Sequence, residues 1–239
     1  MTEDSTPSRR DWRPWFDWRS GWQRLIAALA QNRCRLAVAG LLGGLAGGGG
    51  LLLAASCATL LPPRNIDDAC ALFAEHGDWF AGARAASERW DVPLPVLLSI
   101  IYHESSFRAE ARPPRTWHLG FIPGPRRSSA YGYSQALDGT WSDYLAATGQ
   151  QTAKRNRFDD AVDFVGWYVN ETHQRNRIAK GDVYNQYLAY HEGHRGFASG
   201  TYQQKPWLMR RAQQARQQAD RYRAQLHRCG PLLTAAIKT

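Results

Sequence analysis

Pro93-Leu94-Pro95-Val96-Leu97-Leu98-Ser99-Ile100-Ile101-Tyr102-His103-Glu104 is the stretch on which the fold turns. Proline suits the first turn of a helix, where its missing N–H would have no partner anyway, so a helix is expected from Leu94 to about Glu104. At about 100° per residue, Leu94, Val96, Leu97, Leu98, Ile100 and Ile101 fill an arc of roughly 200°. Glu104 projects near the middle of that arc, while Ser99, His103 and Ser106 lie opposite. A carboxylate on an apolar face is costly to bury unless it is paired or hydrogen-bonded. Desolvation raises its pKa, so it can hold a proton near neutral pH and deliver it. The other reading is a frayed helix end with Glu104 in water, and the helix alone does not decide between them.

Working outward, Asp67 to His76 reads as a helix with Asn65 as its cap and Gly77 at its end. Asp78 to Trp90 reads as a second. Prolines, glycines and the Arg126-Arg127 pair make 111–139 a loop with room for a short hairpin. Helices resume at about 139–147, 159–173 and 182–191. The last, Trp207 to about His227, carries Leu208, Ala212, Ala215, Ala219, Tyr222 and Leu226 on one stripe. Its other faces are Gln and Arg, the pattern of an outer helix. No repeat and no run of strands is present. The expected fold is mainly α.

The chain has 239 residues, 44% hydrophobic and 12% aromatic, enough for one ordinary core. A net charge of +9 invites a nucleic-acid reading, but no zinc-finger spacing, RNA-binding strand motif or basic heptad array accompanies it. A basic surface suits anionic lipid or an acidic polymer equally well. Residues 1–35 are rich in Arg and Trp. Leu36 to Leu61 then runs without a charge and ends at Pro62, Pro63 and Arg64. Such a run is long enough to span a bilayer, which takes about 20 apolar residues. The preceding arginines place the N-terminus in the cytoplasm and everything after Leu61 outside it. Leu53-Ala54-Ala55-Ser56-Cys57 resembles a bacterial lipobox, which implies lipidation of Cys57; an uncleaved transmembrane anchor is the alternative. Cys70 and Cys229 bracket the exported part, and an oxidising compartment favours a disulfide between them over two separate thiols.

Three short motifs then occur in order. They are Ile101-Tyr102-His103-Glu104-Ser105-Ser106-Phe107; Ala130-Tyr131-Gly132-Tyr133-Ser134-Gln135 followed by Gly139-Thr140-Trp141; and Ala189-Tyr190-His191-Glu192-Gly193-His194. Together they resemble the soluble lytic transglycosylase (SLT) superfamily, lipoprotein-like branch, relatives of goose-type lysozyme. The resemblance covers about residues 78–200. His191 stands where the third motif usually has Asn, which bears on fine specificity. The stretch from Glu104 to Gln135 is longer than in the soluble enzymes, so 112–129 is read as an insertion over the cleft. Its Trp117, Phe121, Arg126 and Arg127 are suited to sugar rings or peptide carboxylates.

The resemblance implies a lysozyme-like helical domain with a long cleft loop, and cleavage of peptidoglycan between N-acetylmuramic acid and N-acetylglucosamine. Glu104 would act as acid and then base, closing a 1,6-anhydro ring with no enzyme nucleophile. Gln135 and Tyr190 would orient the sugar, and Gly132 would let backbone approach it. Ser105, Tyr133, His191 and Glu192 complete the expected substrate contacts, with Ser105 also suited to helix-end packing. Glu192 has two readings: a surface loop charge, or a second carboxylate as in a hydrolase. His191-Glu192-x-His194 hints at metal, but its histidines are three apart, with Gly193 between them. No metal or other cofactor is expected. The expected layout is a basic segment 1–35, a membrane or signal segment 36–61, linker and first helix 62–77, catalytic domain 78–230 and tail 231–239. Glycan strands and the membrane are the expected partners, nucleic acid is not, and the expected location is membrane-anchored, facing the periplasm.

Overall fold

The computed structural model describes residues 62–119 and 121–237. Residues 1–61 lie outside the described residues, and with them the apolar segment, Cys34 and Cys57. Among the described residues no helix is long and apolar enough to cross a membrane. Leu61–Thr239 forms one compact unit with its own core.

Seven α-helices and one hairpin make up this unit among the described residues: α1 (Ala69–Glu75), α2 (Gly77–Trp90), α3 (Leu94–Ser105), β1 (Arg115–His118), β2 (Ile122–Arg126), α4 (Asp138–Thr148), α5 (Phe158–Asn176), α6 (Val183–Ala198) and α7 (Pro206–Ile237). Asp68, not Asn65, caps α1: its Oδ1 accepts from the N–H groups of Cys70 and Ala71 at 2.8 and 3.1 Å. The first turn thus closes on the nearer side chain, supplying two of the donors a helix start leaves unpaired.

α3 is the central helix, and it is buried on every side. Ser99, His103 and Ser106, expected to face away from the core, are all buried, as is Ser105. The reason is α7, which lies along that polar side. Ala212, Ala215 and Ala219 let the two backbones approach closely, and the Ser99 hydroxyl donates to the Ala215 carbonyl at 2.6 Å. A short polar side chain that finds a backbone acceptor avoids the penalty of burial. α2 and α5 pack on the remaining faces. Trp79, Phe107, Tyr133 and Phe158 form an aromatic cluster at the end of α3, with Trp79 stacked on Phe158 at 4.2 Å.

A disulfide joins Cys70 on α1 to Cys229 on α7, across a sequence separation of 159. Closing so long a loop stabilises by about 4–5 kcal/mol in the chain-entropy model. Two more ties hold the same seam: Gln225 accepts from Ala69 N–H at 2.9 Å, and the Tyr222 hydroxyl donates to the Ile66 carbonyl. α1 is therefore part of the same body as the rest. α7 continues through Gly230 and Pro231 to Ile237, so the expected tail is largely helical. β1 and β2 pair antiparallel, with Trp117 opposite Pro123 and His118 opposite Ile122.

Candidate active site

Glu104 sits in the last turn of α3. Ser106 and Phe107 follow with φ of 53° and 55°, which ends the helix and turns the chain inward, burying Phe107. The end is therefore fixed and not frayed. The residue keeps some surface, but its Oε1 is shielded from solvent and has no hydrogen-bond partner. Burial pushes the carboxyl pKa up to about 7. A hydrogen bond from Tyr187 and the field of Arg211 act in the opposite direction, without cancelling it. A substantial share of the carboxyl is therefore still protonated at neutral pH.

Two residues beside Glu104 had no counterpart in the sequence reading. Tyr187 lies on α6 and is almost fully buried; Arg211 lies on α7 and donates to the His103 carbonyl at 3.1 Å. Tyr187 stands one helical turn before Tyr190, which was a signal available at helical spacing. Nothing local marks Arg211, because only the packing of α7 on α3 brings it there.

The second motif forms a tight loop whose groups mostly serve the loop itself. Gln135 has φ of 51°, and its Nε2 donates to the carbonyls of Ala111 and Gly132 at 2.9 and 2.8 Å. Arg155 adds bonds to the Ser129 and Ala136 carbonyls and an ion pair with Asp138 at 2.7 Å. Gly132 has φ of 76°, and a Cβ there would lie 2.0 Å from the Arg155 carbonyl oxygen. Close approach by the chain's own backbone therefore requires this glycine. Tyr133 is 4% exposed and packs on Trp79 and Phe158, a core position. Ser105 is also buried, and its hydroxyl donates back to the Ile101 carbonyl at 3.3 Å.

The third motif lies on α6, which bends at Gly193, where φ is 75° and ψ 161°. Tyr190 donates to the Ser134 carbonyl at 2.6 Å, tying this helix to the second motif's loop. Its hydroxyl pKa is well above normal, first from burial and then from the nearby Glu104 charge. Glu104, Tyr190 and the loop carrying Gln135 are thus brought together. His191 meets the ring of Trp207 at 5.1 Å, and burial lowers its pKa.

Glu192 is not a surface loop charge. Its side chain is 4% exposed and pairs with Lys205 Nζ at 2.8 Å, with further bonds from Thr201 and His191. Burial would raise its pKa, but these partners together bring it down to about 2. His194 stacks on Tyr168 and bonds to the Thr172 hydroxyl at 3.0 Å, pointing away from any shared centre with His191. Among the described residues no group of three or more His, Cys, Asp or Glu is placed to hold a metal ion.

A groove of about 850 Å³ runs between α4, α5 and α6, lined by Asp143, Tyr168, Glu171, Arg175 and His194 among others. Glu104 does not line it. The two are linked through Tyr168, whose ring meets that of Tyr190 at 4.9 Å.

The domain is mainly helical, its central helix ends in a carboxyl that burial biases toward the protonated form, and an open groove lies beyond Tyr190 and Tyr168. The family model described as "Transglycosylase SLT domain" matches residues 48–229. The chain belongs to this family. No curated protein and no solved structure matches it.

Proposed function

We infer that this chain is a membrane-anchored lytic transglycosylase that cleaves the β-1,4 bond between N-acetylmuramic acid and N-acetylglucosamine in peptidoglycan. The observation that carries the reading is Glu104, a shielded carboxyl with an unpartnered Oε1 and a pKa of about 7. In this mechanism Glu104 protonates the glycosidic oxygen as the bond breaks. The resulting carboxylate takes the proton of the muramyl C6 hydroxyl, whose oxygen attacks C1 and closes the 1,6-anhydro ring. One carboxyl then serves both halves of the reaction, with Glu104 protonated again at the end. A retaining or inverting hydrolase instead uses a pair of carboxylates. Glu192, the carboxylate singled out for that second role, has both oxygens engaged by Lys205, Thr201 and His191 rather than open to activate water, which favours the ring-closing product.

The geometry supports graded roles for the other residues. Tyr190 and Gln135 position the loop that faces Glu104, with the Gln135 carbonyl left to meet substrate. His191, beside Trp207, offers a ring at the same flank. Ser105, Gly132 and Tyr133 support the site from beneath. The membrane anchor is Cys57, lipidated as the new N-terminus, or else the uncleaved segment 36–61; in both cases the folded unit faces the periplasm.

Digestion of purified sacculi by residues 62–239, with products read by mass spectrometry, tests the reaction. Anhydro-muropeptides that vanish in Glu104→Gln are the expected result. Reducing ends would make the enzyme a muramidase, and activity surviving the substitution would end the assignment of Glu104.

A further inference from the structure

The hairpin β1–β2 exposes what soluble surfaces normally hide. Trp117 is 60% exposed, Leu119 82%, Phe121 71% and Ile122 45%. These four account for more than half of the large exposed hydrophobic side chains among the described residues, and all lie at one tip. The hairpin's packing is chiefly between its own two strands, and no helix among the described residues makes a substantial contact with it. Isolated exposed apolar residues need no explanation, but a contiguous set marks a contact surface.

The charge around the tip says what it contacts. Arg112, Arg115, Arg126 and Arg127 are all exposed at the hairpin's base, with Arg112 lying over the Tyr131 ring near Glu110. The flanking carboxylates are Glu110 and Asp138, the latter paired with Arg155, and none lies between them in the sequence. Arg115 donates to the Gly124 carbonyl and Arg126 to the Pro113 carbonyl, which fixes two of the guanidinium groups along the base. An aromatic and aliphatic tip above a ring of cations has the layering of a membrane interface: acyl chains, then anionic headgroups. A sugar platform needs flat aromatic faces; Leu119, the most exposed of the four, and Ile122 add nothing to one.

We propose that this hairpin is a lipid-docking element that inserts Trp117, Leu119, Phe121 and Ile122 into an anionic bilayer surface, with the four arginines on the headgroups. It acts in addition to the apolar segment 36–61 and is independent of glycan cleavage. Its effect is to hold the groove at a set height above the membrane.

The test uses purified residues 62–239, which contain the described core and the disulfide and omit segment 36–61, itself a lipid binder. The protein is mixed with vesicles of phosphatidylglycerol and phosphatidylcholine, or of phosphatidylcholine alone, and sedimented. Binding to the anionic vesicles that weakens with salt is expected, since exposed charges are screened. Leu119→Ser with Phe121→Ser should lower that binding about tenfold or more, as should Leu119→Asp. Circular dichroism and melting should match the parent. Glu104→Gln should bind vesicles normally while losing cleavage, so lipid docking and the catalytic reading fail separately. No binding to anionic vesicles, or binding unaltered by the tip substitutions, would overturn the proposal. So would loss of sacculus binding in the tip variants when no form binds vesicles, since the hairpin would then be reading glycan.

Discussion

Glu104 and Glu192 are both shielded glutamates, one at the end of α3 and one on α6 just before its bend. Their proton affinities are driven in opposite directions. Around Glu192 the chain supplies a lysine, a hydroxyl and a histidine, and the carboxylate stays charged. Around Glu104 it supplies the floor of a hydrophobic core, with one oxygen left without a partner. Burial alone does not set the protonation state of a carboxyl; the number of donors aimed at it does. The Glu192 site is arranged for stability, the Glu104 site for proton transfer.

The largest expected effect separates the two residues by activity. Glu104→Gln should lower sacculus cleavage by about 10²–10⁴-fold, the range for removing a general acid–base group. Glu192→Gln should stay within about tenfold of the parent, its loss being structural. A Glu192→Gln variant as dead as Glu104→Gln, with the fold intact, would break the comparison.

Stability should reverse the order. Glu104 binds its proton more tightly in the folded state, so between pH 4.5 and about 7 the folded chain holds a proton that the unfolded chain has lost. Stability therefore falls as pH rises through that window. At 1.36 kcal/mol per pKa unit, the ionised form costs the fold about 3 kcal/mol above pH 7. Glu104→Gln should accordingly melt higher than the parent at pH 8 and about equally at pH 4, measured by calorimetry. Glu192 behaves with the opposite sign. Its folded pKa is depressed to about 2, so its contribution is present above pH 4.5 and is lost as pH falls toward 2. Glu192→Gln should cost about 1–3 kcal/mol at pH 7, because Lys205 is left with a neutral partner but retains access to water.

Much of this contrast was legible in the sequence on one side only. The apolar arc of α3 placed Glu104 on a dry face, and the alanine stripe of α7 marked a buried surface, because helical periodicity survives packing. The opposite side of α3 was not legible. Ser99 and His103 read as solvent-facing until α7 covered them, and the serine's backbone partner lies far away in sequence. Glu192 reads in the sequence as a surface loop charge or a second carboxylate, because it lies just past the expected helix 182–191; its partners Thr201 and Lys205 come from the chain's return after the bend. The Cys70–Cys229 bridge followed from position and compartment. Gly132, by contrast, was assigned to ligand approach when its space is taken by the Arg155 backbone.

The smallest effects sharpen the comparison at Glu104 itself. Tyr187 and Arg211 both favour its ionised form, so Tyr187→Phe and Arg211→Met should each move its midpoint upward. In a pH–rate profile at saturating substrate, the basic limb should shift to higher pH, with roughly a few-fold change in rate at pH 8. A shift downward in either variant would mean that the desolvation account of this carboxyl is wrong.

The most direct test is the proton affinity of that one group. A ¹³C NMR titration of the side-chain carboxyl in residues 62–239, assigned by the resonance missing in Glu104→Gln, reads it without substrate. A midpoint near pH 7 is the expected result. A midpoint near the ordinary glutamate value, about 4.3, would contradict the account, because Glu104 would then carry no proton to donate at neutral pH.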